Sequence, residues 1–231
     1  MMQFRQDTSE DSGSFVSRAA ALGWLLLSCA LLAGGLGCRS QSEERLCRSA
    51  RLDDPAAYVK SVELARSERD SLFHLPDSSP VAKEDLPGWK GLEFYPVKPS
   101  YVLEGPLIRT AKPVPLTIPD TGGETRKAQK IGYFLVDLGA GPENLSVFRM
   151  LESDSLFLPF LDATSGAETY PAGRYLELQK LGDDRYRLDF NLAYNPYCAY
   201  GGDWSCPITP ESNRLKAAVR AGERGYKFLH E

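Results

Sequence analysis

FLDATSGAETYPAGRYLELQ (residues 160–179) and RLDFNLAYNPYCAYGGDWSCP (residues 187–207) decide how this chain is read. They crowd together Asp162, Thr164, Glu168, Arg174, Asp189, Asn191 and Asn195, polar residues that are hard to explain as plain surface. Strand alternation sharpens the point. Leu176 and Leu178 form one apolar row, and Arg174 falls on the same face. In the following stretch Tyr186, Leu188 and Phe190 form the apolar row, so Asp189 and Asn191 face the other way. An arginine on the inward side needs a carboxylate, because an unpaired buried charge is very costly. Asp162 and Glu168, in the loop just before it, are the nearest candidates. A buried pairing of Arg174 with one of them is therefore predicted, close to the loop between Asn195 and Cys206.

Outward from this stretch the period-two pattern continues. Candidate strands are residues 92–95, 101–104, 114–118, 126–137, 145–150, 157–160, 174–178 and 185–190. Turn signals separate them at Gly122-Gly123, residues 139–144 and Gly182-Asp183. About eight short strands with few helices between them predict a mainly β fold, an antiparallel barrel or sandwich. Pro96, Pro99, Pro106, Pro113, Pro115 and Pro119 place the early strands at an edge or keep them short. Asp54-Pro55 reads as a helix start. Tyr58, Val62, Ala65, Leu72 and Phe73 then recur at helical spacing, with Arg66 and Arg69 assigned to solvent, until Pro76 stops the helix after His74. Residues 211–220 read as a short closing helix with Leu215, Ala218 and Val219 inward and Gly222 beyond its end.

The N-terminal region has a different character. Residues 1–15 are polar. Arg18 precedes an apolar run over residues 19–36 that ends in Gly37-Cys38. A basic residue, an apolar core and small residues before a cysteine predict a lipoprotein-type signal over residues 1–37 with Cys38 lipidated. Cys29 offers a rival cleavage site, a start at Val16 would give a shorter basic leader, and the run is also long enough to be an uncleaved anchor. Residues 38–53 read as a charged tether carrying a lone Cys47, and residues 54–231 as a single domain. The expected location is the bacterial cell envelope, facing outside the cytoplasm, with the membrane reached through the lipid. Net charge is −4 and there is no basic block, so nucleic acid is not an expected partner. The two histidines, His74 and His230, lie outside the central stretch, which argues against a histidine metal site and a Ser-His-Asp triad.

The pattern P-F-x-D-x-T-x-G-x-E-T-Y-x-x-G-R-Y over residues 159–175 is followed by D-F-N-x-A-Y-N-P-x-C-A-Y over residues 189–200. Cys206-Pro207, the Glu211/Asn213/Leu215 spacing and Ala221-Gly222-Glu223 follow in order. This series resembles the domain-of-unknown-function 1684 family of bacteria and archaea, over about residues 65–226. That family has no established activity, so the resemblance implies a shared fold and candidate residues without a substrate.

The chemistry stays open at this level. Outside the cytoplasm, Cys198 and Cys206 read as a disulfide closing a small aromatic loop, with reduced thiols or half a metal site as alternatives. The chain-entropy model assigns such a loop roughly 2.5 kcal/mol. Asp162, Glu168 and Asp189 could act as acid and base or hold a cation; equally they could organise tight turns by accepting from backbone amides. Tyr194, Tyr197, Tyr200 and Trp204 could line a ligand mouth or cap the end of the core. Three functions remain. The first is a module binding a small polar or anionic ligand, or a partner, with Asp162, Glu168, Arg174, Asp189, Asn191 and Asn195 as candidate contacts. The second is a hydrolase using the carboxylates. The third is a structural envelope protein.

Overall fold

The computed structural model describes residues 44–226. The expected signal, the Cys38 lipidation site and residues 38–43 of the tether lie outside the described residues. Within the described residues, helix α1 (Pro55–Phe73) is followed by a mainly β region. Asp54 caps α1 by accepting from the backbone amides of Ala56 and Ala57 at 3.0 and 2.9 Å, and Pro55 occupies the first turn, where its missing N–H costs nothing.

Among the described residues nine strands make two antiparallel sheets. The first has the order β1 (Arg48–Ser49), β2 (Val102–Pro106), β9 (Arg185–Asp189), β8 (Leu178–Gly182). The second has the order β3 (Ile108–Pro119), β4 (Thr125–Asp137), β5 (Pro142–Met150), β6 (Leu156–Phe160), β7 (Arg174–Leu176). The prolines of β3 fit its place at the edge of the second sheet, where a missing donor leaves no gap in a ladder. One apolar core draws on both sheets: Leu103 from β2, Phe134 and Val136 from β4, Leu145 and Val147 from β5, and Leu188 from β9. Among the described residues no helix is long and apolar enough to cross a membrane.

Several expectations are corrected. Residues 92–95 form no strand; Phe94 makes a single bridge with Glu223. The predicted strand over residues 174–178 divides at Glu177, so that β7 belongs to one sheet and β8 to the other. Leu46 to Ser49, assigned to the tether, are part of the fold: β1 pairs with β2, and Cys47 is a buried free thiol in the core. Burial pushes that thiol up to about 12, which leaves it inert at neutral pH.

The closing helix is replaced by a single 3-10 turn, Glu211–Asn213, and an irregular extended segment. There Leu215, Ala217, Val219 and Ala221 are buried, while Lys216 and Arg220 are exposed and Ala218 is half-buried. The period is two, and the backbone groups that a helix would pair internally are used by Asp162 and Arg174 instead. Arg66 and Arg69 also reverse their assignment. Arg66 is buried, donating to the carbonyls of Tyr95 (2.8 Å) and Asn191 (2.8 Å), whereas Leu64 and Leu72 are exposed. A guanidinium that satisfies backbone carbonyls under a helix outcompetes leucine at that position.

Candidate functional site

Arg174 is 1% exposed, and its surroundings account for most of the candidate residues. Gly173 precedes it at φ +94°, where an added Cβ would lie 2.6 Å from the Phe160 carbonyl oxygen, so only glycine admits this close approach. From there the Arg174 guanidinium reaches across to the C-terminal segment. Nη1 donates to the carbonyls of Ala221 and Glu223, and Nη2 to the Val219 carbonyl at 2.8 Å and to Asp162 Oδ2 at 3.4 Å. The Phe160 ring lies beneath, 5.0 Å from the guanidinium carbon. The partner is therefore Asp162 rather than Glu168. Asp162 also accepts from the Val219 amide at 2.6 Å and from Thr164 Oγ1 at 2.8 Å. Arginine and aspartate together lace the alternate backbone groups of residues 219–223 onto the loop before β7.

The other candidates are placed separately. Glu168 accepts from Arg220 and from the Tyr95 hydroxyl, and the Arg220 bonds hold its carboxyl below the usual carboxylate range. Asp189 accepts from the Tyr58 hydroxyl at 2.9 Å and from the Asn191 amide at 3.0 Å. Burial nevertheless raises its pKa. Asn191 is fully buried; its side chain donates to the Lys98 carbonyl and accepts from the Lys98 amide. No two of Asp162, Glu168 and Asp189 share a bonding partner. Asn213, quoted only within the family pattern, stitches β5 to β6 by bonding both backbone groups of Ser146 and the Pro159 carbonyl.

A second buried network was not foreseen. Glu223 is fully buried. One carboxylate oxygen accepts from Arg69 Nε at 2.5 Å; the other accepts from the Asn195 amide at 2.8 Å and the Tyr200 hydroxyl at 2.5 Å. Asn195 Nδ2 continues the chain to the Arg224 carbonyl at 2.8 Å. Burial first, and Glu223 next, push the Tyr200 hydroxyl well above its ordinary pKa, so it remains a donor. Gly222, at φ +76°, makes the turn that brings Glu223 inward; a Cβ there would meet the Ala193 carbonyl oxygen at 2.5 Å. The signal for this network was present in Ala221-Gly222-Glu223, an acid directly after a turn glycine.

Against this network lies a cavity of about 540 Å³, lined among others by Trp89, Lys90, Leu92, Tyr200, Arg224 and Tyr226. Trp89 and Tyr226 meet edge to face with ring centroids 4.8 Å apart, and Phe73 of α1 packs behind against Tyr200 at 4.8 Å. Of the four aromatics suggested as a ligand mouth, Tyr200 lines this cavity. Tyr197 and Trp204 instead pair with each other at 5.0 Å on an exposed loop, and Tyr194 lies over Arg69. That exposed loop is closed by the Cys198–Cys206 disulfide. Trp89 was passed over because it sits in a segment rich in proline and charge; a lone tryptophan in a polar loop is itself a signal. A smaller recess of about 300 Å³ adjoins Tyr58 and Asp189. Arg174 lines none of these recesses. Among the described residues no group of three or more His, Cys, Asp or Glu is placed to hold a metal ion.

No curated protein matches the chain. A similar solved structure is the solution NMR structure of an uncharacterized protein from Haloarcula marismortui. It is 35% identical, with a TM-score of 0.57, and the match covers 73% of this chain and 95% of that one. A family model, described as a protein of unknown function, matches residues 87–224, and the chain belongs to that family, DUF1684.

Proposed function

We propose that this protein is a membrane-tethered module of the bacterial cell envelope that binds a small molecule in the cavity beside Trp89. The cavity carries the reading. Its volume lies within the range of about 300–1,000 Å³ usual for ligand sites, and it combines aromatic walls with a few polar groups. The buried Glu223 network holds one wall rigid, because Tyr200 and the backbone of Arg224 are both bonded into it. The separate partners of Asp162, Glu168 and Asp189 weigh against a hydrolytic alternative in which two of these carboxylates work as an acid–base pair on one substrate. The two sheets are read as the layers of a sandwich, an interpretation supported by the core that both of them feed.

Native mass spectrometry of the full-length protein extracted from membranes in mild detergent provides the test. A small molecule is expected to copurify with the wild type and to be absent from Trp89→Leu of unchanged melting temperature. Identical spectra for the two would overturn the proposal.

The tether reading rests on the residues around Cys38. A diacylglyceryl group there would supply the anchor, and a second acyl signal or an N-terminal acyl chain would make it stable. Metabolic labelling with a fatty-acid analogue should mark the wild type and leave Cys38→Ala unmarked. Equal labelling of both would dismiss the anchor.

A further inference from the structure

The loop closed by the Cys198–Cys206 disulfide holds two segments that lie far apart along the chain. On one side is the stretch after α1. There the Ala82 amide donates to the Tyr200 carbonyl at 3.0 Å, Val81 forms a bridge with Gly201, and Trp204 Nε1 donates to the Pro80 carbonyl at 3.2 Å. On the other side is the β3–β4 turn. The Thr121 amide donates to the Cys206 carbonyl at 3.0 Å, and the Cys206 amide donates to Thr121 Oγ1 at 3.1 Å. Tyr200 belongs to the same loop and lines the Trp89 cavity. Gly201, Asp203, Trp204 and Ser205 are exposed, and the adjacent glycines Gly201 and Gly202 open many conformations to an uncrosslinked loop. The crosslink removes those alternatives.

The two cysteines are not equivalent. Cys206 is buried, whereas Cys198 is half-buried at the outer side of the loop. An incoming thiolate therefore meets Cys198 first. The Cys198 amide donates to Cys206 Sγ at 3.3 Å. A donor placed there favours negative charge on that sulfur and makes Cys206 the better leaving group. Cys47, the free thiol, is buried in the core and is not the attacking group.

Resting on the cavity reading above, we propose that this disulfide is a redox clasp on the cavity, opened by a protein dithiol of the Cys-x-x-Cys class. One thiolate of that dithiol attacks Cys198 Sγ. The Cys198–Cys206 bond breaks, and Cys206 leaves as a thiolate that takes up a proton. The second thiol of the dithiol loses its proton and attacks the mixed disulfide, which releases Cys198 as a thiol. Two electrons pass to this chain, and the dithiol is left as its own disulfide. The opened loop then loosens its hold on Pro80, Ala82 and Thr121, and the Tyr200 wall of the cavity loosens with it.

Dithiothreitol serves as the dithiol probe on the full-length protein in detergent, with amide hydrogen exchange followed by mass spectrometry. Reduction is expected to speed exchange at the Ala82, Thr121 and Cys206 amides by about ten-fold and to leave Phe134 of β4 and Val147 of β5 unchanged. The double variant Cys198→Ser with Cys206→Ser should match the reduced protein without any reductant. Native mass spectra should show the copurified small molecule retained about three-fold less after reduction. Brief treatment with glutathione, quenched in acid, should place the mixed disulfide on Cys198. Exchange identical in the oxidised and reduced proteins would overturn the clasp. Faster exchange throughout, β4 and β5 included, would make the disulfide a staple for the whole fold and overturn it too. A mixed disulfide on Cys206 would overturn the order of attack, and retention unaffected by reduction would overturn the link to the cavity. If no small molecule copurifies at all, the cavity reading fails by itself, and hydrogen exchange still decides the clasp.

Discussion

Replacing Arg174 by Met should destabilise the fold by about 3–5 kcal/mol, the cost of leaving a buried carboxylate without its partner. Asp162 would keep its bonds from Thr164 and the Val219 amide but lose the guanidinium paired with it. Three backbone carbonyls, at Val219, Ala221 and Glu223, would lose their donors at the same time. For a chain of this size the loss corresponds to a drop in melting temperature of about 10 °C. Arg174→Lys is the informative companion, because it retains the charge. An ammonium is a point donor and cannot span carbonyls spaced along an extended segment as the guanidinium fork does. The lysine variant should fall between wild type and the methionine variant. Urea denaturation of both gives the free energies. A loss below 1 kcal/mol in Arg174→Met would show that the clamp is not what holds residues 219–223 in place.

The pairing itself was legible because it rests on a local rule: Leu176 and Arg174 share a face, and an acid lies in the adjacent loop. Helix α1 was legible for the same reason, since Asp54, Pro55 and Pro76 mark its ends within the helix's own sequence. What could not be read depends on partners far along the chain. Arg66 looked solvated because its acceptors, the Tyr95 and Asn191 carbonyls, lie 29 and 125 positions away. Leu215, Ala218 and Val219 fit a helical stripe as well as the alternating row Leu215, Ala217, Val219 fits a strand. Only the claims of Asp162 and Arg174 on the backbone decide between them. The same limit applies to the candidate site. Asp162, Glu168, Arg174, Asp189, Asn191 and Asn195 were singled out as candidate ligand contacts. Asp162, Arg174, Asn191 and Asn195 are buried, Asn191 against the strand phasing that turned it away from the apolar row, and they hold loops together. The cavity is formed by Trp89 and residues 224–226, whose patterns carry no period.

Replacing Glu223 by Gln should have an effect nearly as large, and it should reach the cavity. Glu223 receives three donors, Arg69 Nε, the Asn195 amide and the Tyr200 hydroxyl. Of these only the tyrosine hydroxyl can reverse and accept. A glutamine offers one carbonyl oxygen and one NH₂, so either the arginine or the backbone amide would face a donor. Removing the charge also leaves Arg69 three-quarters buried with no counter-ion. The expected cost is about 3 kcal/mol, toward the lower end for breaking a buried pair because the shape is retained. Arg69→Met combined with Glu223→Gln removes the stranded cation as well, and replacing both partners of a buried pair is far milder than replacing one. The double variant should therefore recover more than half of the loss, a coupling that a denaturant-based double-mutant cycle measures directly. Tyr200 and Arg224 depend on this network for their positions. The small molecule expected to copurify should thus be retained several-fold less by Glu223→Gln even at temperatures where the protein remains fully folded. Additive losses in the cycle, or copurification indifferent to the substitution, would mean that Glu223 does not organise the cavity wall.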